Sequence, residues 1–199
     1  MPAVATLPSD RTGSDNRLPG RLSGRVRRAV ELTTAVLAMS TSLVAGAAPA
    51  SAKDDYPWRG ASGVAADSWG FTLRQCVSWT AFKLAQRGAP LDNRRDRWGN
   101  AANWDDAARR LGHGIGTRPV VGAVAHWNAG ERGAAYTGRS PKANGFVIGG
   151  GTGHVGYVTG VHADGSAVVQ HYNQDGKGTW SIVRVRAPRY LYVRVTAPA

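Results

Sequence analysis

A single cysteine, Cys76, and five histidines, His113, His126, His154, His162 and His171, are the residues of this 199-residue chain that can pair a nucleophile with a base. A thiolate attacks carbonyl carbon, and a histidine within hydrogen-bond reach is the usual group to take the thiol proton. An unpaired cysteine also has plainer uses, as a small buried hydrophobe or as a link between chains. Position separates these readings. The stretch "LRQCVSW" leads into apolar residues at Val77, Ala81, Leu84 and Ala85, which fall on one helical face, and Gly88 supplies a stop. The spacing predicts a helix over 72–87 with Cys76 in its first turns. Unpaired N–H groups and the helix dipole favour a thiolate there and are expected to lower its pKa.

Among the histidines, His113 follows a helix stop and His162 adjoins a turn, which makes both solvated loop residues. His126 alternates with Val124 on a strand and reads equally well as a structural residue. His154 differs, because it begins a strand directly after the glycine-rich "GGGTG" and its small neighbours leave room for a substrate. The segment "HADGSA" marks a two-residue hairpin at Asp164-Gly165. That register pairs Gly156 with Asn173. It sets His154, Gly156, Val158 and Gly160 on the same face as Ala167, Val169, His171 and Asn173. Asn173 is then diagonal to His154, at roughly 7 Å between Cα atoms, with His171 farther along. Either side chain could hold the imidazole of His154 in its working tautomer. No two histidines have helical ligand spacing and acidic ligands are sparse, so no metal is expected. There is no phosphate loop or dinucleotide fingerprint, and no cofactor is expected.

The elements that must position these residues divide the chain into helices first and strands after. "NWDDAARRLG" predicts a second helix capped by Asn103, with Asp105 and Asp106 at its positive end, Arg109 and Arg110 at its negative end, and Gly112 as its stop. After Pro119, "VVGAVAHW", "HVGYVTGV", "AVVQHYN", "TWSIVRV" and "YLYVRV" read as short strands. The Gly-, Asn- and Ser-rich stretch between Trp127 and His154 reads as a loop beside the sheet. The order predicts an α+β fold, N-terminal helices packed on an antiparallel β-sheet. Most of the seven tryptophans belong to the core. Trp127, at a strand end bordering the loop, is the one expected to touch substrate.

Residues 1–52 carry a different signal. Arg21, Arg25, Arg27 and Arg28 precede an apolar run over 32–44 and then "APASA", the three-part pattern of a secretory signal with cleavage after Ala52. The run is shorter than the roughly 20 residues of a spanning helix, so no stable membrane anchor is expected. Upstream of Arg21 the chain is Pro-, Ser- and Gly-rich, and a disordered basic extension is expected there. Residues 53–199 form one domain. The formal net charge is +12, and beyond residue 52 basic residues still outnumber acidic ones. They are scattered singly and match no nucleic-acid motif, so the expected partner is peptidoglycan or another anionic cell-wall polymer, not nucleic acid. The protein is expected to be a monomer, secreted or at the cell wall.

The ordered set "RQCVSW", "WGNAANWDDAARRLG", "PVVGAVAHW", "GHVGYVTGV" and "VVQHYN" resembles a CHAP domain. These are cysteine- and histidine-dependent amidohydrolases or peptidases on a papain-like α+β fold, many of which cut bacterial peptidoglycan. The resemblance spans 58–195. It implies that Cys76 is the nucleophile and His154 the general base, and that Gln75 helps to build the oxyanion site. Where the family usually carries Glu, this chain has His171, and the family's following Asn is retained as Asn173. The related NlpC-type cell-wall peptidases use His as the third polar group. Some calcium-binding members carry an Asp pair before the cysteine, but Asp67-Ser68-Trp69 supplies one Asp only. The implied function is a secreted cysteine hydrolase cleaving a peptidoglycan amide. The alternative is a catalytically weak module that binds wall or a partner protein.

Overall fold

The computed structural model describes residues 53–196 apart from Gly63, Arg139 and Pro141, so the expected export signal lies outside the described residues. Within them the first helix begins four residues later than its apolar spacing suggests. Arg74 takes a left-handed φ of 59°, Gln75 is still extended, and α1 runs Cys76–Gln86. A non-glycine residue in that region needs outside support. Its amide donates to the Tyr56 hydroxyl at 3.1 Å, and its guanidinium donates to the carbonyls of Ala61 and Gly178. The Tyr56 hydroxyl lies 2.6 Å from Ser78 Oγ, which donates to Asp67 Oδ2 at 2.5 Å. Asp67 is 3% exposed, and its other oxygen accepts the amides of Trp69 and Phe71, each at 2.9 Å. The lone Asp before the cysteine is thus spent on fixing the chain that leads into Cys76.

At its other end α1 stops as its glycine suggests. Gly88, at φ 79°, donates to Ala85 O, and Ala89 donates to Leu84 O at 2.9 Å. This is a paired helix-end motif with glycine in the left-handed position. A short helix unforeseen in the sequence, α2 (Asn93–Asp96), is capped by Asp92, which accepts the amides of Arg94 and Arg95. A single 3-10 turn, Ala101–Asn103, leads into α3 (Trp104–Arg110). Asn103 precedes α3, but its side chain makes no capping bond. It is already in helical conformation, with its amide bonded to Asn100 O.

Among the described residues eight strands follow: β1 (Gly114–Gly116), β2 (Val124–Trp127), β3 (Arg132–Tyr136), β4 (Gly145–Ile148), β5 (His154–Val161), β6 (Ala167–Tyr172), β7 (Trp180–Arg186) and β8 (Arg189–Tyr192). They form one curled antiparallel sheet in the order β1-β8-β2-β5-β6-β7-β3-β4. With the helices preceding it, this is the expected α+β architecture. The stretch between Trp127 and His154 is not a plain loop. It contains β3 and β4, which pair with each other and, through β3, with β7. The sequence "RGAAY" of β3 has no β-branched residue, so its extended form comes from pairing with β7.

Alternation along β2 and β5 divides the core. Val124, Val155 and Tyr157 pack with Ala81, Leu84, Trp98 and Trp104 between sheet and helices. Ala125, Trp127, Val158, Val169 and Val185 form a second cluster inside the curl. A third, Tyr56, Trp79 and Tyr172, joins the N-terminal segment to α1 and β6. No helix among the described residues is long and apolar enough to cross a membrane.

The β5–β6 register departs from the expected hairpin in two places. His162 and Ser166 close a three-residue loop, Ala163 to Gly165, with Gly165 at φ 79°. A bulge then interrupts pairing between Val158 and Gly160. Each change moves the register by one residue, and together they restore parity. Val158 pairs with Val169 and Tyr157 with Gln170, two positions from the simple hairpin count. His154 and His171 therefore still face the same way, and His171 moves into the near diagonal position.

Asp67→Ala is expected to destabilise the fold by at least about 2 kcal/mol, because two buried donors and one part-buried donor lose their acceptor. Chemical denaturation would measure it, and an unchanged midpoint would contradict the role given to this carboxylate.

Candidate active site

Cys76, the first residue of α1, is half-buried and lines a cleft of about 240 Å³ with Thr72, Gln75, Val77, Asn100, Ala101 and Thr152. The main-chain N–H groups of Val155, Val77 and Cys76 itself stabilise a negative sulfur. Burial outweighs them and pushes the thiol up to about 11. This differs from the expected lowered pKa. Helix-start amides are present, but removing the sulfur from water costs the thiolate more than they return. At rest the group is a neutral thiol. The Val155 amide belongs to the residue after His154, so the sulfur sits against the start of β5.

His154 is 4% exposed, and its ring lies 5.8 Å from Trp127 and 5.1 Å from His171, nearly perpendicular to the latter. His154 Nε2 and His171 Nδ1 are 2.8 Å apart, a hydrogen bond between imidazoles. On its far side, His171 Nε2 is 2.9 Å from Ser181 Oγ. Burial, reinforced for His154 by the neighbouring His171, holds His154 well below the usual histidine range. Burial also brings His171 down to about 4, against a weaker upward pull from Asp175. Both rings are neutral near pH 7. When His154 carries its proton on Nε2 and donates to His171, its Nδ1 has a free lone pair, as a base requires.

The structure brings His171, not Asn173, to the ring of His154. Asn173 lies past the end of β6 at φ 58°, where its side-chain N–H₂ donates to Gln75 Oε1 at 2.6 Å and its carbonyl oxygen accepts the Gly178 amide. Asparagine tolerates the left-handed region better than most residues. Anchoring Oε1 of Gln75 uses its acceptor and leaves its N–H₂ group, on the residue before Cys76, as a donor. The expected contact of Trp127 with substrate is corrected: this ring is 0% exposed. Its position on β2 points it into the curl of the sheet, where it backs the His154 imidazole.

The opposite wall of the cleft is held by groups that sequence reasoning did not assign. Ala102 donates to Thr152 O at 2.8 Å, locking the turn before α3 to the loop before His154. Gly153, at φ 77°, makes this approach possible, since a Cβ there would lie 2.3 Å from Ala102 N and 2.8 Å from Trp127 O. His126 is fully buried and its Nε2 meets Ala101 O at 2.8 Å, which fixes Nε2 as the protonated nitrogen. Arg189 lies 3.1 Å from His126 Nδ1 and forks onto Glu131. His126 is thus a structural support. His162 is exposed, whereas His113 is half-buried and stacks on Trp98. Ser181 carried one signal in the sequence: in "TWSIVRV" it shares parity with Val183 and Val185, a hydroxyl on the interior face. Among the described residues no group of three or more metal-ligating side chains converges.

Gly153→Ala is expected to cost at least about 2 kcal/mol and to dislodge His154, through both backbone strain and the clash with Ala102. Thermal unfolding and the spectrum of the histidine rings would register it. The pH dependence has a definite sign. Between about 6.5 and 4 the unfolded chain binds a proton at His171 that the folded chain refuses, so stability falls as pH drops through that window. The loss from this ring is on the order of 3 kcal/mol, and His171→Gln should remove it. The thiol acts oppositely: the folded chain keeps its proton to about 11, against 9.0 ordinarily, so stability falls as pH rises above about 9. Equilibrium denaturation across pH, in the wild type and in each variant, checks both limbs.

The CHAP domain family matches over residues 66–173, more than half of the chain and all of the site from Asp67 to Asn173. The sequence is 32% identical over 104 residues to an N-acetylmuramoyl-L-alanine amidase, sle1, of Staphylococcus epidermidis, covering 52% of this chain and 25% of that protein. It is 36% identical over 76 residues to the staphylococcal secretory antigen SsaA of Staphylococcus epidermidis, covering 38% and 22%. A putative hydrolase of Streptococcus mutans is 32% identical over 78 residues, covering 39% and 28%. The chain therefore spans about a quarter of the length of these relatives. A crystal structure of an N-acetylmuramoyl-L-alanine amidase from Staphylococcus aureus aligns with a TM-score of 0.46 at 22% identity, over 60% of this chain and 30% of that one. On the match across the cysteine, both histidines and the asparagine of the site, this chain belongs to the CHAP domain family.

Proposed function

We propose that this chain is an exported cysteine amidohydrolase or endopeptidase that cleaves an amide bond of bacterial peptidoglycan, with Cys76 as nucleophile, His154 as general base and His171 as the group that orients His154. The observation that carries the reading is the hydrogen bond between His154 and His171 at the start of β5, where the Val155 amide meets the sulfur of Cys76, in a chain whose similar proteins include a named amidase.

The chemistry follows from the neutral resting pair. As sulfur attacks the amide carbon, the Cys76 proton passes to His154 Nδ1, a C–S bond forms and the carbonyl electron pair moves onto oxygen. The Cys76 N–H and the Gln75 side-chain amide are the donors we assign to that oxyanion, a role supported by the hold of Asn173 on Gln75 Oε1. Collapse expels the amine with the proton from His154. Water then attacks the thioester, gives a proton to His154, and the thiol departs reprotonated. Neutral His171 accepts the Nε2–H of His154 but stabilises imidazolium less than a carboxylate would. The basic surface favours an anionic wall polymer as substrate.

A second reading has its own support. A thiol raised to about 11, with the assigned base only 4% exposed, fits a catalytically weak module that binds wall or a partner protein. Digestion of purified sacculi separates the two. New free amines on stem peptides are expected from the wild type, and Cys76→Ala, folded as judged by its far-ultraviolet spectrum, should lower their release by at least about 10³-fold. No release from the wild type, with retained binding to sacculi, would support the binding module instead.

A further inference from the structure

We propose that Ser181, on β7, is a positioning residue that sets the tautomer of both imidazoles, so that the catalytic row is Cys76, His154, His171 and Ser181. The inference rests on the function proposed above and extends it by one member.

The geometry is that of three groups joined by two successive hydrogen bonds. His154 Nε2 and His171 Nδ1 are 2.8 Å apart, and His171 Nε2 and Ser181 Oγ are 2.9 Å apart. His171 and Ser181 are register partners on β6 and β7, so the strands themselves hold the second contact. Among the described residues the Ser181 hydroxyl has no other hydrogen-bond partner. A neutral imidazole has one N–H and one lone pair, so the row admits two arrangements. In the first, His154 Nε2–H donates to His171 Nδ1, His171 Nε2–H donates to Ser181 Oγ, and His154 Nδ1 is free to accept the thiol proton. In the second every bond is reversed: Ser181 donates to His171, His171 donates to His154, and the remaining proton of His154 occupies Nδ1. Only the first arrangement works as a base.

The first arrangement requires an acceptor for His171 Nε2–H, and Ser181 Oγ is the one in place. Without it that N–H is buried and unpaired, which favours the second arrangement. The same oxygen assists once His154 is charged, because the cation is shared through the row. The charged or titratable groups acting on these rings are few: His154 and His171 act on one another across β5 and β6, and Asp175 acts on His171 from the loop before β7. Asp175 is already engaged by the Lys177 amide and the Thr179 hydroxyl. From α1, the Cys76 sulfur meets the amide of Val155, the residue after His154.

Two measurements on Ser181→Ala test the inference: turnover of soluble peptidoglycan fragments across pH, and the rate of Cys76 alkylation by iodoacetamide. A roughly tenfold fall in kcat is expected with KM little changed, together with an acid limb moved to lower pH, because the protonated row has lost an acceptor. Alkylation near pH 7 should slow severalfold. A merely structural serine would leave the limb in place, and its loss would loosen the strand and speed alkylation. Should alanine unfold the protein, the equal-volume pair Ser181→Thr and Ser181→Val carries the same comparison, with threonine retaining the wild-type profile and valine losing it. Superimposable profiles for wild type, alanine and valine would overturn the inference, as would a threonine variant that behaves like valine. Alkylation needs no substrate, so it still decides the role of Ser181 if the wild type digests no peptidoglycan and the proposed function fails.

Discussion

A 2.8 Å hydrogen bond joins two histidine rings in a space almost without solvent, and much of the surrounding structure exists to make that contact possible. Bringing the rings together requires two strands to pass close, a register that puts both on one face, and walls that exclude water. Gly156 allows the close passage, since a Cβ there would lie 2.4 Å from Val169 Cγ1 and 3.1 Å from the Cβ of His171. Trp127 supplies one wall, packed 5.8 Å from the His154 ring. Burial keeps the imidazoles neutral, and neutrality makes the direction of each proton a question of tautomers. A carboxylate in place of His171 would accept only. A second imidazole accepts and donates, so its own far partner matters.

The nucleophile depends on a separate set of contacts. The chain Asp67, Ser78, Tyr56 and Arg74 decides where α1 starts, and therefore that Cys76 is its first residue. Across the cleft, His126 and Arg189 hold the Ala101 carbonyl and its turn against the loop that ends at His154. Both supports are polar networks whose donors and acceptors are largely matched, Arg74 Nε being a buried donor left over. Matched networks fix geometry more narrowly than apolar packing, because a small displacement leaves a buried group unpaired.

The high net charge plays little part in this arrangement. Of the site residues proposed for chemistry, none is a lysine, arginine or carboxylate. Among the described residues the basic side chains lie mainly on the surface. Under the proposed function the division separates two tasks: surface charge would draw an anionic polymer, while burial keeps the thiol and both rings neutral at rest.

What the amino-acid sequence determined by itself was local and periodic. Gly88 and Gly112 marked helix ends because a left-handed position favours glycine, and β5 and β6 were legible because β-branched and aromatic residues alternate along them. Face-sharing of His154 and His171 was legible too, since side-chain parity survives any even shift of register. Tertiary structure decided the rest. It made strands of "RGAAY" through pairing with β7, and it added the bulge between Val158 and Gly160 that brought His171 rather than Asn173 to His154. It turned Trp127 inward, and its burial of Cys76 raised a thiol that helix position alone would have lowered. The physical reason is common to these cases. Periodicity and capping are short-range properties written along the chain, whereas register offsets, desolvation and the partner of a buried hydroxyl arise only when distant strands close on one another.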